Sequence, residues 1–414
     1  MKVLLLTQYF WPETFLINRL VRALIQSDVE ISVLTGKPNY PDGIIFSGYH
    51  ACGIVRESYE GVGVTRVPLF PRSRGSLLGL VLNYLSFVLS ASLLSPFLLR
   101  ADKFDAIFVY APSPILQAIP AIFLGKLRNV PVALWVQDLW PESLSATGFV
   151  RSPAILAIVE RLVRWIYKNC DMILIQSEAF REPVARLAGA QASIKYFPNP
   201  IDCSNVQPGQ PSVEALAIAT KMKLGFSVLF TGNLGSAQSL DTVLDAAARL
   251  SGANIGIFLV GTGNQFDHLS SRVANLGLKN VFLPGRLPAT DMAFLFQHAS
   301  VLLASLRDDP AFARTIPSKI QAYLAAGKPI IAAMNGEGAR VVEEAQAGIS
   351  CRADDPEQLA DAILKMSQLG DQVRLDYGSN ARQYACANFS LEKLAVHLAQ
   401  ELECLSTNYR KSKQ

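Results

Sequence analysis

Histidine is scarce in this sequence. His50, His268, His298 and His397 are the four among 414 residues, and none stands near another. A histidine-built metal centre is not expected, because such sites draw several ligands from one short motif or fold corner. The six cysteines, Cys52, Cys170, Cys203, Cys351, Cys386 and Cys404, are as scattered. Without C-x-x-C spacing they make neither a redox pair nor a thiolate cluster, and they read as thiols of a reducing compartment. Nucleotide signatures built on glycine are missing too. Gly261-Thr262-Gly263 follows an apolar run but lacks the third glycine of a dinucleotide fingerprint, and there is no Walker loop or nucleophile elbow. Charged residues make up only 17% of the chain, with no dense basic run, so nucleic acid is not an expected partner. No signal-peptide pattern follows Met1-Lys2, and residues 3–6 read instead as a first strand.

What is present is apolar. Half of the residues are hydrophobic, and the excess of Lys and Arg over Asp and Glu lies in the first 199 residues. An apolar, basic N-terminal half suits an anionic lipid surface or a lipid diphosphate. Residues 77–99 carry no charge and are flanked by Arg72, Arg74, Arg100 and Lys103. The length suffices to span a bilayer, but Asn83, Ser86, Ser90, Ser92 and Ser95 interrupt the run and Pro96 falls inside it. A span would also separate the first two strands from the rest of their sheet. The expectation is a helix that packs on its domain and dips into the membrane interface without crossing it.

Short apolar runs at 3–6, 31–34, 107–109, 132–136 and 172–175 alternate with helical stretches such as 13–26 and 154–168. That alternation predicts a doubly wound parallel sheet. The Pro-broken segment 197–202 marks a boundary. A second series follows at 228–231, 256–260, 281–283, 301–304 and 329–332. The expected fold class is α/β with two Rossmann-like domains, 1–198 and 199–388, facing a central cleft at the strand C-terminal ends, where open α/β sheets bind ligands. Residues 389–414 form a terminal helix.

The stretch Thr315-Ile316-Pro317-Ser318-Lys319-Ile320-Gln321-Ala322-Tyr323-Leu324-Ala325-Ala326-Gly327-Lys328-Pro329 reads as loop, helix, tight stop and strand. Ser318 suits a helix cap and Gly327 a helix end. Lys319 in the first turn opposes the helix dipole unless an anion sits there. This segment resembles the donor-binding helix of retaining glycosyltransferases of family four, which have the GT-B fold. Phe230-Thr231-Gly232-Asn233-Leu234-Gly235-Ser236-Ala237-Gln238 resembles their donor-domain glycine turn. Leu134-Trp135-Val136-Gln137-Asp138-Leu139-Trp140-Pro141-Glu142 and Thr35-Gly36-Lys37-Pro38-Asn39-Tyr40-Pro41 are similar to N-terminal segments of the bacterial surface-polysaccharide branch, which includes enzymes that add N-acetylfucosamine.

The resemblance implies that the terminal helix crosses back onto the first domain. It also implies a donor site containing Gly232, Asn233, Gln238, Arg286, Leu287, Arg307, Ile316, Pro317 and Ser318, with Lys319, Arg314, Asp138 and Glu13 as catalytic candidates. The chain departs from the family pattern where that pattern has a cation just after the glycine and another a few residues on, since Asn233 and Gln238 stand there. It departs again at two donor-site glutamates, replaced by Arg314 and Ala322. Charge balance then assigns the diphosphate to Lys319 and Arg314. For Arg307 a surface ion pair with Asp308 or Asp309 is an equal alternative. Glu13 and Asp138 are taken as polar site residues without a fixed acid or base role, because the leaving phosphate can take the acceptor proton. The implied activity is transfer, with retention and without a metal or cofactor, of a sugar from a UDP-sugar donor to a polyprenyl-diphosphate-linked saccharide. The sugar expected is an N-acetylated hexosamine or deoxyhexosamine. The enzyme would be cytoplasmic, peripheral on the inner face of the cell membrane through 77–99, and would serve O-antigen, capsule or exopolysaccharide synthesis. A UDP-sugar 2-epimerase on the same fold and a non-catalytic nucleotide-sugar-binding subunit are the alternatives.

Overall fold

The computed structural model describes residues 1–72, 77–146, 150, 152–204 and 209–413, so Arg74 lies outside the described residues. The chain divides into two compact units, Met1–Pro200 with Leu391–Gln414, and Ile201–Ser390.

The first unit holds eight strands: β1 (Lys2–Leu6), β2 (Glu30–Thr35), β3 (Val55–Tyr59), β4 (Val62–Arg66), β5 (Ala106–Ala111), β6 (Val132–Val136), β7 (Met172–Ile175) and β8 (Ile194–Tyr196). Their order is β3-β4-β2-β1-β5-β6-β7-β8, and every pairing is parallel except β3 with β4. That hairpin has only a weak alternating apolar signal. Its turn rests on Glu60 and Gly61, both at positive φ (51° and 83°), the pair of left-handed residues a tight hairpin needs. The central strands are buried on both faces, which is why they read as continuous apolar runs.

Helix α1 covers Leu16–Gln26, three residues later than the sequence suggests. The reason is Glu13, whose carboxylate is engaged by loop N–H groups rather than by a helix start. Helix α2 covers Leu77–Leu98. Asn83, Phe87, Ala91 and Ser95, one every four residues, are fully buried on the domain. Leu85, Leu89, Leu93 and Phe97, at the same spacing, are 53%, 63%, 60% and 78% exposed. The polar residues that interrupt the run tie the helix down. Asn83 Nδ2 donates to the Phe70 carbonyl, Ser86 Oγ accepts from the Phe70 N–H, and Ser90 Oγ donates to the Pro68 carbonyl. Helix Leu391–Lys413 belongs to the first unit, where Leu394, Ala395, Leu398 and Leu402 join the core beneath α1.

The second unit holds β9 (Phe226–Thr231), β10 (Ile255–Val260), β11 (Val281–Gly285), β12 (Val301–Ser305), β13 (Ile330–Ala333) and β14 (Gly348–Cys351), all parallel, in the order β11-β10-β9-β12-β13-β14. The order reverses between β9 and β12, which makes their C-terminal ends the switch point where such sheets open a crevice. The first sheet reverses between β1 and β5.

Candidate functional site

A cavity of about 410 Å³ lies at the switch point of the second unit. Its lining includes Thr231, Gly232 and Asn233 at the end of β9, Gln238 farther along, Ser305 and Leu306 at the end of β12, and Pro317, Ser318, Lys319, Ala322 and Tyr323 at and within the following helix. That helix runs Ser318–Ala326 and ends on Gly327, whose φ is +67°. Pro317 is its N-cap residue and no side chain caps it, so the capping expected of Ser318 is not made. The first-turn N–H groups of this helix are thus left uncapped by side chains at the edge of a cavity, which suits an anion.

Gly232 turns the chain with φ +127°, a conformation side chains rarely adopt, while its N–H is held by the Val260 carbonyl at 2.9 Å. A Cβ added there would lie 3.7 Å from Lys319 Cε and 3.8 Å from Nζ, so it would fill the space above the lysine. Lys319 Nζ donates to Gln238 Oε1 at 2.9 Å and lies 3.2 Å from the Phe230 ring centroid. Burial pushes the amine's pKa well down, and no charged side chain offsets it. One helical turn on, the buried Tyr323 hydroxyl accepts the Thr231 N–H at 3.0 Å and pairs with Thr231 Oγ1 at 3.2 Å, fixing the start of the glycine turn. Sequence reasoning missed Tyr323, although its i+4 spacing from Lys319 puts both on one helix face.

The structure thus brings Gly232, Asn233, Gln238, Pro317, Ser318 and Lys319 together. Other candidates stand outside the lining. Arg314 follows the short helix Pro310–Ala313 as its C-cap residue. Arg307 pairs with Asp309 at 3.7 Å and stands over the Phe312 ring, the alternative weighed for it above. The Ile316 side chain is 2% exposed and belongs to the core, and Leu287 packs against the same core. Arg286, beside it, is exposed.

In the first unit Glu13 is 2% exposed, not the solvated helix-start acid its position allows. Oε1 accepts the N–H groups of Asn39 and Tyr40 at 2.9 and 2.7 Å, and Oε2 that of Phe10 at 3.3 Å. Burial raises its pKa to about 7 against the pull of these donors and of Arg66. Glu13 therefore braces the 36–41 loop, a geometry of positioning rather than of proton transfer to a ligand. Asp138, two residues beyond β6, has its pKa raised by burial to about 6, which leaves it able to exchange a proton near neutrality.

Comparison with known proteins agrees with this layout. A family described as "Glycosyl transferase 4-like domain" matches residues 16–200, and one described as "Glycosyl transferases group 1" matches residues 225–368. The chain is 27% identical over 339 residues to a Pseudomonas aeruginosa protein named as a probable glycosyltransferase, WbjE, covering 79% of this chain and 82% of that protein. It is 26% identical over 348 residues to WcaI of Escherichia coli (strain K12), named for a colanic acid biosynthesis glycosyl transferase, with the same coverage of 79% and 82%. Among solved structures, HepE of Anabaena in complex with UDP aligns with a TM-score of 0.68 at 17% identity, over 98% of this chain and 100% of that one. Sucrose-phosphate synthase from Thermosynechococcus elongatus aligns with a TM-score of 0.68 at 17% identity, over 98% and 99%. These likenesses establish the fold as GT-B.

Proposed function

We propose, from the premise that this chain is a glycosyltransferase of the GT-B type, a glycosyl transferase 4-like domain followed by a glycosyl transferases group 1 domain, that it moves a sugar from a UDP-sugar onto a polyprenyl-diphosphate-linked saccharide in surface-polysaccharide synthesis. The reaction retains anomeric configuration and needs no metal. The sugar is an N-acetylated hexosamine or deoxyhexosamine.

The observation that carries this reading is the cavity over Lys319. It offers a glycine turn without a Cβ, an uncapped helix start and one amine, with no acidic side chain in its lining. Such a set suits a diphosphate, whose charge grows as the sugar leaves. The UDP bound by HepE supports uridine diphosphate as the leaving group. Lys319, the Gly232 turn, Asn233 and Gln238 hold it there. Asp138 lies in the unit that takes the acceptor. The exposed leucine face of α2, with Arg72, Arg100 and Lys103 at its ends, rests on the anionic inner face of the cell membrane, where the lipid-linked acceptor resides.

A 2-epimerase needs acid and base carboxylates at the sugar, and the cavity lining has none. Incubation with a panel of UDP-sugars tests the assignment. Slow release of UDP from one of them supports a transferase, an epimerised UDP-sugar identifies an epimerase, and binding without turnover identifies a binding subunit.

A further inference from the structure

The first unit also gathers polar groups at its switch point between β1 and β5, and the proposed function leaves most of them without a role. Tyr9, after β1, and Tyr84, on α2, stand near each other, and Ser113, after β5, lies beside Tyr84. Tyr9 is 2% exposed and Tyr84 is largely buried, and burial raises both phenols, so they are neutral donors. The positive charge of Arg72 reaches both tyrosines, and the negative charge of Asp138 reaches Tyr84. The Arg72 guanidinium lies 5.2 Å from the Tyr40 ring centroid, and its backbone N–H is held by Asn39 Oδ1 at 3.3 Å. Arg72 makes no ion pair among the described residues.

A part-buried guanidinium over a ring, beside two phenols and without an ion-pair partner among the described residues, is arranged for an incoming anion. Six residues on, the uncharged exposed face of α2 begins at Leu78. An anion site that runs into an apolar face matches an amphiphile with a phosphate head, not a free phosphate. We propose that Arg72 is the acceptor's anion contact: it holds the diphosphate of the prenyl-diphosphate-linked saccharide, with the prenyl chain along the exposed face of α2 and Tyr84 and Asp138 turned toward the saccharide. This rests on the transferase reading and names the binding residue for its acceptor. The planar fork of arginine contacts two phosphate oxygens at once, and the Tyr40 ring restricts where it can lie.

Farnesyl diphosphate is the probe, titrated calorimetrically into protein saturated with UDP so that the donor site is filled. Wild type is expected to bind it, and to bind both farnesol and inorganic diphosphate more weakly. Arg72→Met, which keeps the stem over Tyr40, is expected to weaken farnesyl diphosphate by about tenfold or more, the scale of one charge-assisted contact. Arg72→Lys is expected to fall between. UDP affinity and the unfolding temperature should be unchanged in both. Arg72→Met binding within twofold of wild type overturns the proposal, and so does inorganic diphosphate binding as tightly as the prenyl form. Failure of wild type to bind UDP at all would instead sink the transferase reading.

Discussion

Replacing Lys319 by alanine removes the only cation among the described residues that line the second unit's cavity. The amine touches Gln238 Oε1 and the Phe230 ring, and burial holds its pKa well below the ordinary lysine value. A diphosphate above Gly232 supplies a counter-charge, so nucleotide binding raises the amine's pKa back toward the ordinary lysine value. One charge-assisted contact is worth about 1.5–3 kcal/mol, which places the loss in UDP affinity at about tenfold to a hundredfold. Turnover should fall by about tenfold to a thousandfold, because the contact strengthens as the leaving group gains charge. The proton gives a second reading. The bound-state pKa exceeds the free-state pKa, so between them binding takes up a proton and affinity declines as pH rises, by up to about tenfold per unit. Calorimetry across the alkaline range in which UDP itself is fully ionised, in two buffers of different ionisation enthalpy, should show buffer-dependent heats for wild type that Lys319→Ala lacks. Normal UDP affinity and turnover in a folded Lys319→Ala protein would refute the assignment. Equal heats in both buffers for wild type would refute the protonation step alone.

Gly232→Val should abolish UDP binding while leaving most of the fold, since the side chain fills the space above Lys319; calorimetry beside a thermal melt checks it. Arg314→Ala, outside the cavity lining, should weaken UDP less than Lys319→Ala in the same titration. Glu13→Gln should flatten the pH dependence of unfolding. With a folded pKa of about 7 against an ordinary 4.5, Glu13 favours the folded state on the acid side and loses that contribution as pH rises through 7, which denaturant titrations across this range would show. Leu85→Glu with Leu89→Glu should move the protein from membrane pellet to supernatant without unfolding it, because both side chains are more than half exposed. Resistance of wild type to alkaline carbonate extraction would point to a spanning helix instead.

The parallel strands were legible because burial on both faces leaves them as unbroken apolar runs between turn residues. The β3–β4 hairpin was not, since its strands alternate mildly and its turn depends on Glu60 taking a left-handed conformation. The helix that carries Lys319 was legible from Pro317 and Gly327, yet its start was read as capped by Ser318, which lies inside the first turn. The family resemblance placed Lys319 and Gly232 in one site, and both residues follow strands that flank the switch point. It could not place Arg307, Ile316 or Leu287, whose side chains are decided by ion pairing and core packing outside any motif. Glu13 looked like a site carboxylate, and only three-dimensional contacts show it bracing the 36–41 loop. Tyr9, Tyr84 and Arg72 come from three distant segments, so no local pattern could join them.

The most direct test combines the UDP-sugar panel with a polyprenyl-diphosphate-linked saccharide and follows the lipid product by mass spectrometry. One donor should extend the acceptor by a single sugar with stoichiometric release of UDP, and both signals should fall together in Lys319→Ala. UDP-sugar converted to an epimer, or product formed equally well by Lys319→Ala, would contradict the account.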